Sequence, residues 1–119
     1  MQNRRQIGTE EEALAAAFLR KQGYEIREQN FRCRLGEIDI IARDGSALVF
    51  IEVKYRKNSK YGNPAEAVDY RKQQKICKVA DYYRMKHRIP EEQACRFDVV
   101  AIQGREIRLI RNAFPYCFY

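Results

Sequence analysis

A chain of 119 residues, 45% of them hydrophobic, is long enough for one packed domain and too apolar for wholesale disorder. Its formal net charge of +7 favours polyanionic partners, nucleic acid first, although a small domain can carry such a surplus for solubility alone. The sequence contains no apolar run of membrane-spanning length and no signal-peptide pattern, so we expect a single cytoplasmic domain over residues 1–119.

The first predicted element is a helix. Thr9 has the side chain of an N-cap, and Glu12, three residues later, completes a capping box. An alanine-rich run follows and ends at Gly23, a residue typical of helix C-termini. The sequence therefore predicts a helix that begins at Thr9 and ends at Gln22.

Three strands are predicted next, in direct succession. Residues 24–31 alternate imperfectly between polar and apolar, while 37–43 and 47–55 are rich in isoleucine and valine. The Asp44-Gly45 pair between the last two segments is a hairpin signal. The second and third strands should therefore be antiparallel neighbours.

A polar loop and a long helix are predicted in the middle of the chain. Residues 57–64 are polar, and they end in Asn63 and Pro64, which suit the start of a helix. A long helix is predicted over residues 69–87. Apolar residues recur there at helical spacing and form one buried stripe, namely Ile76, Val79, Ala80 and Tyr83.

Two more strands are predicted in the last part of the chain. Residues 96–102 read as a buried strand and 106–111 as an edge strand, with a turn at Gly104 between them. The order is αβββαββ, and a long helix between the third and fourth strands is what a crossover between parallel strands requires. The sequence thus predicts a mixed five-stranded sheet flanked by helices.

Alternation along a strand sorts the charged residues of the second and third strands onto one face of the sheet. On the second strand, one side is predicted to carry Ile38, Ile40 and Ala42, and the other Glu37, Asp39 and Ile41. On the third strand, one side is predicted to carry Val49, Ile51 and Val53, and the other Leu48, Phe50, Glu52 and Lys54. Each strand is therefore predicted to have one wholly apolar face and one face that includes charges.

The register of this hairpin decides how close Asp39 and Glu52 lie. Opposed residues share a face, so the two apolar sets must coincide to form one core. A two-residue loop at Asp44-Gly45 places Asp39 opposite Phe50 and diagonal to Glu52. A four-residue loop places Asp39 directly opposite Glu52. Either register brings Asp39, Glu52 and Lys54 together.

Two carboxylates and a lysine in one place suit a divalent cation and phosphodiester hydrolysis. Asp39 and Glu52 repel each other when both are ionised, and hard oxygen ligands of this kind suit Mg²⁺ or Mn²⁺. Lys54 can balance charge, orient an attacking water or meet the negative charge that develops on the phosphoryl group. A solvated strand face is the alternative interpretation, but unpaired charge within the apolar run LVFIEVKY is costly, which favours a site.

The motifs resemble those of the YraN family of small bacterial proteins. The resemblance rests on GEIDIIARDG at 36–45 and LVFIEVKYR at 48–56, and it extends to AAAFLRKQGY at 15–24, YGNPAEAV at 61–68 and CRFDVVAI at 95–102. That family looks like PD-(D/E)xK nucleases of the restriction-endonuclease-like fold, which are similar to archaeal Holliday-junction resolvases. The resemblance implies a fold of that kind and metal-dependent cutting of DNA.

The resemblance also assigns roles to residues of this chain. Asp39 matches the motif aspartate, and Glu52 and Lys54 match the E-x-K pair, so Asp39 and Glu52 would hold the metal. Glu12 matches an acidic residue of the first helix that helps to form the site in the resolvase relatives. A capping role for Glu12 is the alternative, and Glu11 is its rival for the place in the site.

Further basic and polar residues are candidates for nucleic-acid binding. Lys72 begins the apolar stripe of the second helix, with Gln73 beside it, so we expect this helix to steer phosphates toward the site. Arg56, Lys57 and Lys60 follow the E-x-K pair directly. They could grip phosphates, or they could be a solvated charge run.

Two features allow several interpretations. Glu37 shares the predicted face of Asp39, where it is a further ligand, a partner of Lys54 or a plain surface glutamate. The aromatic tail AFPYCFY at 113–119 is expected to pack in the core or at a dimer interface.

The leading hypothesis is a Mg²⁺- or Mn²⁺-dependent endonuclease that acts on DNA, with branched or repair intermediates as candidate substrates. A nucleic-acid-binding protein that keeps the fold and cuts nothing is the alternative. A protein-interaction role of the aromatic tail is a third hypothesis. A homodimer is expected only by analogy with resolvases, whose substrates are two-fold symmetric.

Overall fold

The structure, a computed structural model, describes residues 4–56 and 68–117, and it describes their side chains except those of residues 4–9 and 56. These ranges contain α1 (Arg4–Lys21), β1 (Glu25–Cys33), β2 (Gly36–Asp44), β3 (Ala47–Arg56), α2 (Tyr70–Lys86), β4 (Cys95–Gln103) and β5 (Glu106–Phe114). The predicted order αβββαββ is confirmed. Neither helix is long and apolar enough to cross a membrane, as far as the described residues extend.

The strands form one mixed sheet whose spatial order, β1-β2-β3-β4-β5, follows the chain. Neighbours pair antiparallel except β3 and β4, which are parallel. The segment between those two strands contains α2, so the predicted parallel crossover is confirmed. This is the mixed α/β architecture predicted for a restriction-endonuclease-like fold.

Within residues 4–56 and 68–117, each face of the sheet is covered by one helix. The cluster under α1 joins its buried residues to the apolar side chains of the sheet, and it contains Ala15, Ala16, Leu19, Ile40, Ala42, Val49, Ile51, Val100 and Ile102. The cluster under α2 contains the predicted stripe Ile76, Val79, Ala80 and Tyr83, with Cys77 in addition. The fold is therefore three layers, helix on sheet on helix, with two separate apolar cores.

The predicted start of the first helix is wrong, while its end is right. The helix begins at Arg4, so Thr9 lies inside it and is not an N-cap. A capping pattern favours a start but does not prevent extension, and Gly8 within the helix costs only about 1 kcal/mol. At the other end Gly23 has a φ of +94°, which glycine adopts readily, and the Tyr24 amide donates to the Leu19 carbonyl at 3.0 Å.

The predicted sorting of strand residues into one apolar and one charged face is wrong for β2 and right for β3. Ile38 packs in the cluster under α2, whereas Ile40, two residues along, packs under α1. The side chains of β2 therefore exchange faces of the sheet at Asp39, whereas residues two apart in a regular strand stay on the same face. We call such an exchange of faces a turn-over of the strand. Strand β3 keeps its predicted division, since Val49 and Ile51 pack under α1 and Phe50 packs under α2, on the face that also carries Glu52.

The β2–β3 hairpin combines features of the two predicted alternatives. Asp44 pairs with Ala47, so the loop has two residues, but they are Gly45 and Ser46. The register that follows is the one predicted for the longer loop, and the last pair before the candidate site is Ile40 with Ile51. Continued by one residue, this register brings Asp39 to the level of Glu52.

The second half of the chain agrees with prediction within a few residues. Asp69 is the N-cap of α2, and its Oδ1 accepts a hydrogen bond from the Lys72 amide at 2.9 Å. The predicted helix start at Asn63 and Pro64 lies outside the described residues. Strand β5 extends to Phe114, whose ring stacks on Phe97 with centroids 4.9 Å apart. The aromatic tail therefore packs in the core as far as it is described.

Candidate active site

The candidate site lies where the pairing of β2 with β3 ends. Asp39, the residue after the last pair, is 8% exposed, and its Oδ2 accepts a hydrogen bond from the Val53 amide at 2.8 Å. The aspartate carboxylate is therefore fastened to the backbone of the neighbouring strand. Val53 directly follows Glu52, and the two carboxylates lie close enough for the charge of Glu52 to raise the pKa of Asp39.

Glu52 is a buried carboxylate with two lysine partners from different elements. It is 7% exposed, and its Oε1 lies 3.1 Å from Lys72 Nζ and 3.6 Å from Lys54 Nζ. Lys54 lies two residues along β3, on the same face. Lys72 comes from the first turn of α2, where its amide is held by the N-cap Asp69. The lysine that was predicted to reach the site from the helix therefore makes the shorter ion pair.

The two carboxylates disfavour each other's ionisation. Burial raises the pKa of Asp39 from 3.8 to about 8, with the Glu52 carboxylate as the second cause and the Val53 hydrogen bond opposing them. Glu12 and Glu37 raise the pKa of Asp39 further. Without a cation, the carboxyl group of Asp39 is therefore protonated near neutral pH.

Lys72 is held as a cation by its neighbours. Burial lowers its pKa, but the Glu52 carboxylate raises it through both charge and a hydrogen bond, and Asp39 and Glu37 add to that effect, so that the pKa of Lys72 lies above its usual value. An ammonium group in this state is a fixed positive charge and not a base at neutral pH. Its position beside Glu52 fits charge stabilisation.

Glu12 is the first-helix glutamate that the structure brings to the site. Burial raises its pKa, a hydrogen bond from the Asn30 side chain opposes this, and the charges of Glu37 and Glu52 raise it further. Because Thr9 lies inside α1, the alternative role of Glu12 in a capping box is excluded. The carboxylate reaches the site from the face opposite to the one from which Lys72 approaches.

The remaining predicted residues lie at the margin of the site or outside the described parts. Glu37 is exposed and pairs with Arg32, whose Nε lies 2.9 Å from Glu37 Oε2 across the β1–β2 ladder. Gln73 donates from its side chain to the Val68 carbonyl at 2.9 Å, so its contact is local to the start of α2. The side chain of Arg56, and all of Lys57 and Lys60, lie outside the described residues.

Sequence reasoning missed a second buried polar group, centred on Asp98 of β4. This residue is fully buried, and its oxygens accept hydrogen bonds from the Tyr24 hydroxyl at 2.6 Å and the Asn112 amide at 2.9 Å. Arg96 lies 3.0 Å from it and bridges to Asp44 at 2.6 Å. A charge inside the apolar run FDVVAI was the available signal. All of these hydrogen bonds are made within the protein, and the bond from Tyr24, which follows α1, to Asp98 of β4 connects the end of α1 to the sheet.

The donor set fits a hard divalent cation. Within 4–56 and 68–117, no three His, Cys, Asp or Glu side chains form a cluster that could hold a metal by themselves. Asp39 and Glu52 supply two carboxylates whose mutual repulsion a cation would relieve, as the raised pKa of Asp39 indicates. Magnesium commonly takes only one or two protein carboxylates and completes its shell with water and phosphate oxygens.

Fold and site together define a class of mixed α/β proteins with a buried aspartate on the second strand and an E-x-K pair on the third. The chain belongs to the family described as uncharacterised protein family UPF0102, whose model matches residues 11–102. This is the YraN family that the motifs predicted. The matched range includes the candidate residues of α1, β2, β3 and α2.

Curated relatives that carry this family name align with the chain over nearly their whole length. A UPF0102 protein of Lachnoclostridium phytofermentans is 52% identical over 112 residues, which cover 94% of this chain and 95% of the relative. One from Caldicellulosiruptor bescii is 49% identical over 118 residues, covering 94% of this chain and 99% of the relative. One from Clostridium botulinum is 47% identical over 114 residues, covering 91% and 93%. The chain is thus similar to these proteins over more than nine tenths of its length.

Proposed function

We propose that this protein is a Mg²⁺- or Mn²⁺-dependent endonuclease that hydrolyses phosphodiester bonds in DNA. The observation that carries the proposal is the pair of buried carboxylates, Asp39 and Glu52, set side by side with two lysines on Glu52. Burying two like charges costs free energy unless a cation neutralises them. Titratable groups perturbed in this way are found most often at functional sites. The formal net charge of +7 supports a polyanionic substrate.

In the proposed mechanism Asp39 and Glu52 would hold the divalent ion, and Glu12 would assist the cleavage step from α1 without being one of the metal ligands. When bound, such an ion polarises a phosphoryl oxygen and lowers the pKa of a nearby water toward neutrality. The Val53 amide keeps the Asp39 carboxylate in place, so its orientation does not depend on the metal alone. A ligand fixed before binding loses little freedom when the metal arrives.

In this mechanism the two lysines position the attacking water and stabilise negative charge on the phosphate. Hydrolysis forms a bond from water oxygen to phosphorus and breaks the bond from phosphorus to a sugar oxygen, with negative charge on the phosphoryl group in between. The attacking water gives up a proton to solvent, and the departing sugar oxygen takes one from solvent. We assign Lys54 to orienting the attacking water and Lys72, whose raised pKa keeps it protonated, to the phosphate. In the structure both lysines pair with Glu52, at the place where the phosphate would lie if Asp39 and Glu52 held a cation.

The substrate class proposed is branched DNA or another intermediate of repair and recombination, by the resemblance to junction resolvases. Labelled junctions, flaps, nicked duplexes and single strands are incubated with Mn²⁺ and with Mg²⁺. We expect cleavage of one class by the wild type and none by Asp39→Ala or Lys54→Ala. Glu106→Ala, which removes an exposed carboxylate on β5, is the matched control and should cleave normally. Undiminished cutting by Asp39→Ala would refute the assignment.

A second candidate function is nucleic-acid binding without cleavage. One observation favours it: both lysines already pair with Glu52, so its charge is compensated without metal. In this case labelled DNA would bind, as fluorescence anisotropy would show, while every substrate remained intact with either metal. Binding would also be insensitive to the metal, whereas the endonuclease proposal requires metal-dependent binding or cutting.

A further inference from the structure

The sheet is irregular at one level of β1 and β2, next to the candidate site. Ile38 packs under α2 and Ile40 under α1, although residues two apart in a regular strand share a face. On β1, Phe31 pairs with Ile38 and also packs under α2, while Gln29 pairs with Ile40. Both strands therefore turn over between these pairs, at Asn30 on β1 and at Asp39 on β2.

Asn30 has the backbone conformation that marks this turn-over. Its φ is +55°, in the left-handed region that side-chain-bearing residues seldom enter and asparagine enters more readily than most. The pairs on either side, Gln29 with Ile40 and Phe31 with Ile38, keep one register, so β1 changes face without losing its place beside β2. The turn-over is thus a local backbone event.

The side chain of Asn30 makes a second connection, to α1. It hydrogen-bonds to the Glu12 carboxylate, which α1 brings over the sheet. Glycine could supply the same backbone conformation but has no amide to hold Glu12. Asparagine combines both properties, so one residue of an edge strand supplies the left-handed backbone and holds the Glu12 carboxylate of α1.

We infer that Asn30 is a positioning residue of the candidate site. Its left-handed backbone turns β1 and β2 over so that the Asp39 carboxylate crosses to the Val53 amide, and its side chain fixes Glu12 beside that carboxylate. The geometric part of the inference stands by itself. Its effect on cleavage rests on the proposed function.

The chain offers a matched control in Asn112 of β5. Asn112 has a φ of +52° and also lies beside a buried aspartate, because its backbone N–H donates a hydrogen bond to Asp98 Oδ1. Substitution there costs the same backbone strain as at Asn30 but affects the polar group at Asp98 and not the candidate site. Comparison of the two positions separates positioning from general destabilisation.

The test uses Asn30→Ala, Asn30→Gly, Asn112→Ala and Asn112→Gly in the full chain. The amide resonance of Val53 reports the Asp39 contact directly, and calorimetric titration with Mn²⁺ reports the metal ligands. We expect Asn30→Ala to shift the Val53 resonance and to weaken Mn²⁺ binding by about tenfold or more, as loss of an outer-shell partner does. Asn30→Gly should restore both, while the Asn112 variants should change neither.

Cleavage tests the side-chain half of the inference. Asn30→Gly keeps the turn-over and releases Glu12, so we expect it to bind Mn²⁺ normally and to cut about tenfold or more slowly than the wild type. Wild-type cutting by this variant would overturn the role of the amide.

The backbone half is overturned if a folded Asn30→Ala keeps the wild-type Val53 resonance, or if Asn112→Ala shifts that resonance equally. Should the wild type neither bind Mn²⁺ nor cut DNA, the proposed function fails, and the Val53 resonance in the four variants still decides the geometric inference.

Discussion

At the scale of single residues, the site is an arrangement of charges that are stable only in combination. Glu52 has two lysine partners, while Asp39 has the Val53 amide and, by burial and repulsion, a raised pKa. Removing one lysine leaves Glu52 with a single cationic partner, whereas removing the Asp39 carboxylate relieves the repulsion between the two acids. Single substitutions should therefore affect metal binding, stability and catalysis to different degrees.

Lys72→Met is expected to separate catalysis from folding. Loss of the ammonium at the phosphate should lower kcat by about 10²-fold, as loss of one donor to a developing charge does. Stability should fall by only about 1 kcal/mol, because Lys72 is partly exposed and Lys54 still pairs with Glu52. Single-turnover cleavage and urea unfolding measure the two effects. Lys75→Met, which makes the same charge change one turn along α2, should alter neither, and equal kinetics of the two variants would contradict the role of Lys72.

The raised pKa of Asp39 predicts an unusual pH dependence of stability. Its pKa rises from 3.8 to about 8 on folding, so the folded state binds the proton more tightly, and this stabilisation, full at pH below about 4, is lost as pH rises toward 8. Metal-free wild type should therefore lose up to a few kcal/mol between about pH 5 and 8 relative to Asp39→Asn. Unfolding by urea at both pH values measures this. Saturating Mn²⁺ should remove this difference between the two proteins in the pH dependence of the unfolding free energy, since the ion takes the place of the proton.

At the scale of elements, the start of α2 decides whether Lys72 reaches Glu52. The Asp69 side chain caps the helix by accepting from the Lys72 amide at 2.9 Å. The same residue thus satisfies a backbone donor and fixes the turn that carries the lysine. The sequence predicted a long helix from about this residue, but the cap that it predicted was Asn63, which lies outside the described residues.

Asp69→Ala should destabilise the protein by about 1 kcal/mol and should also loosen Lys72. Urea unfolding measures the stability, and the pKa of Lys72, followed by NMR of its side chain, should fall toward its ordinary value as the Glu52 contact loosens. Asp69→Asn restores a cap and should recover both. If the lysine stays in place in Asp69→Ala, the cap serves the helix alone.

Regular elements were predictable from local patterns, and so was most of the site. Apolar periodicity located the buried stripe of α2, and the place of Lys72 at its beginning indicated the site. The closeness of Asp39 and Glu52 followed from either hairpin register. The turn-over at Asp39 did not, because it depends on the backbone of Asn30 in another strand and on a helix packing against each face. The start of α1 failed because a capping motif can also occur inside a helix.

At the scale of the whole molecule, the positive net charge should govern the affinity for DNA. Neutralising phosphates releases counterions, so the logarithm of the affinity should fall linearly with the logarithm of salt concentration. Lys57→Ala and Lys60→Ala should each reduce that slope by about one if these lysines contact phosphate. Anisotropy titrations at several salt concentrations measure the slope. Lys21→Ala, at the end of α1, is the control, and an equal reduction there would indicate only a diffuse effect of charge.

The parallel pairing of β3 with β4 has a consequence for synthesis of the protein. These adjacent strands are separated along the chain by the whole of α2, so the emerging polypeptide presents β1, β2 and β3 before the helix that covers one of their faces. Until then, Phe50 and its neighbours are open to water. A nascent chain halted on the ribosome after β3 would carry Glu12, Asp39 and Glu52 but not Lys72, and it would expose to chaperones the apolar surface that α2 later covers.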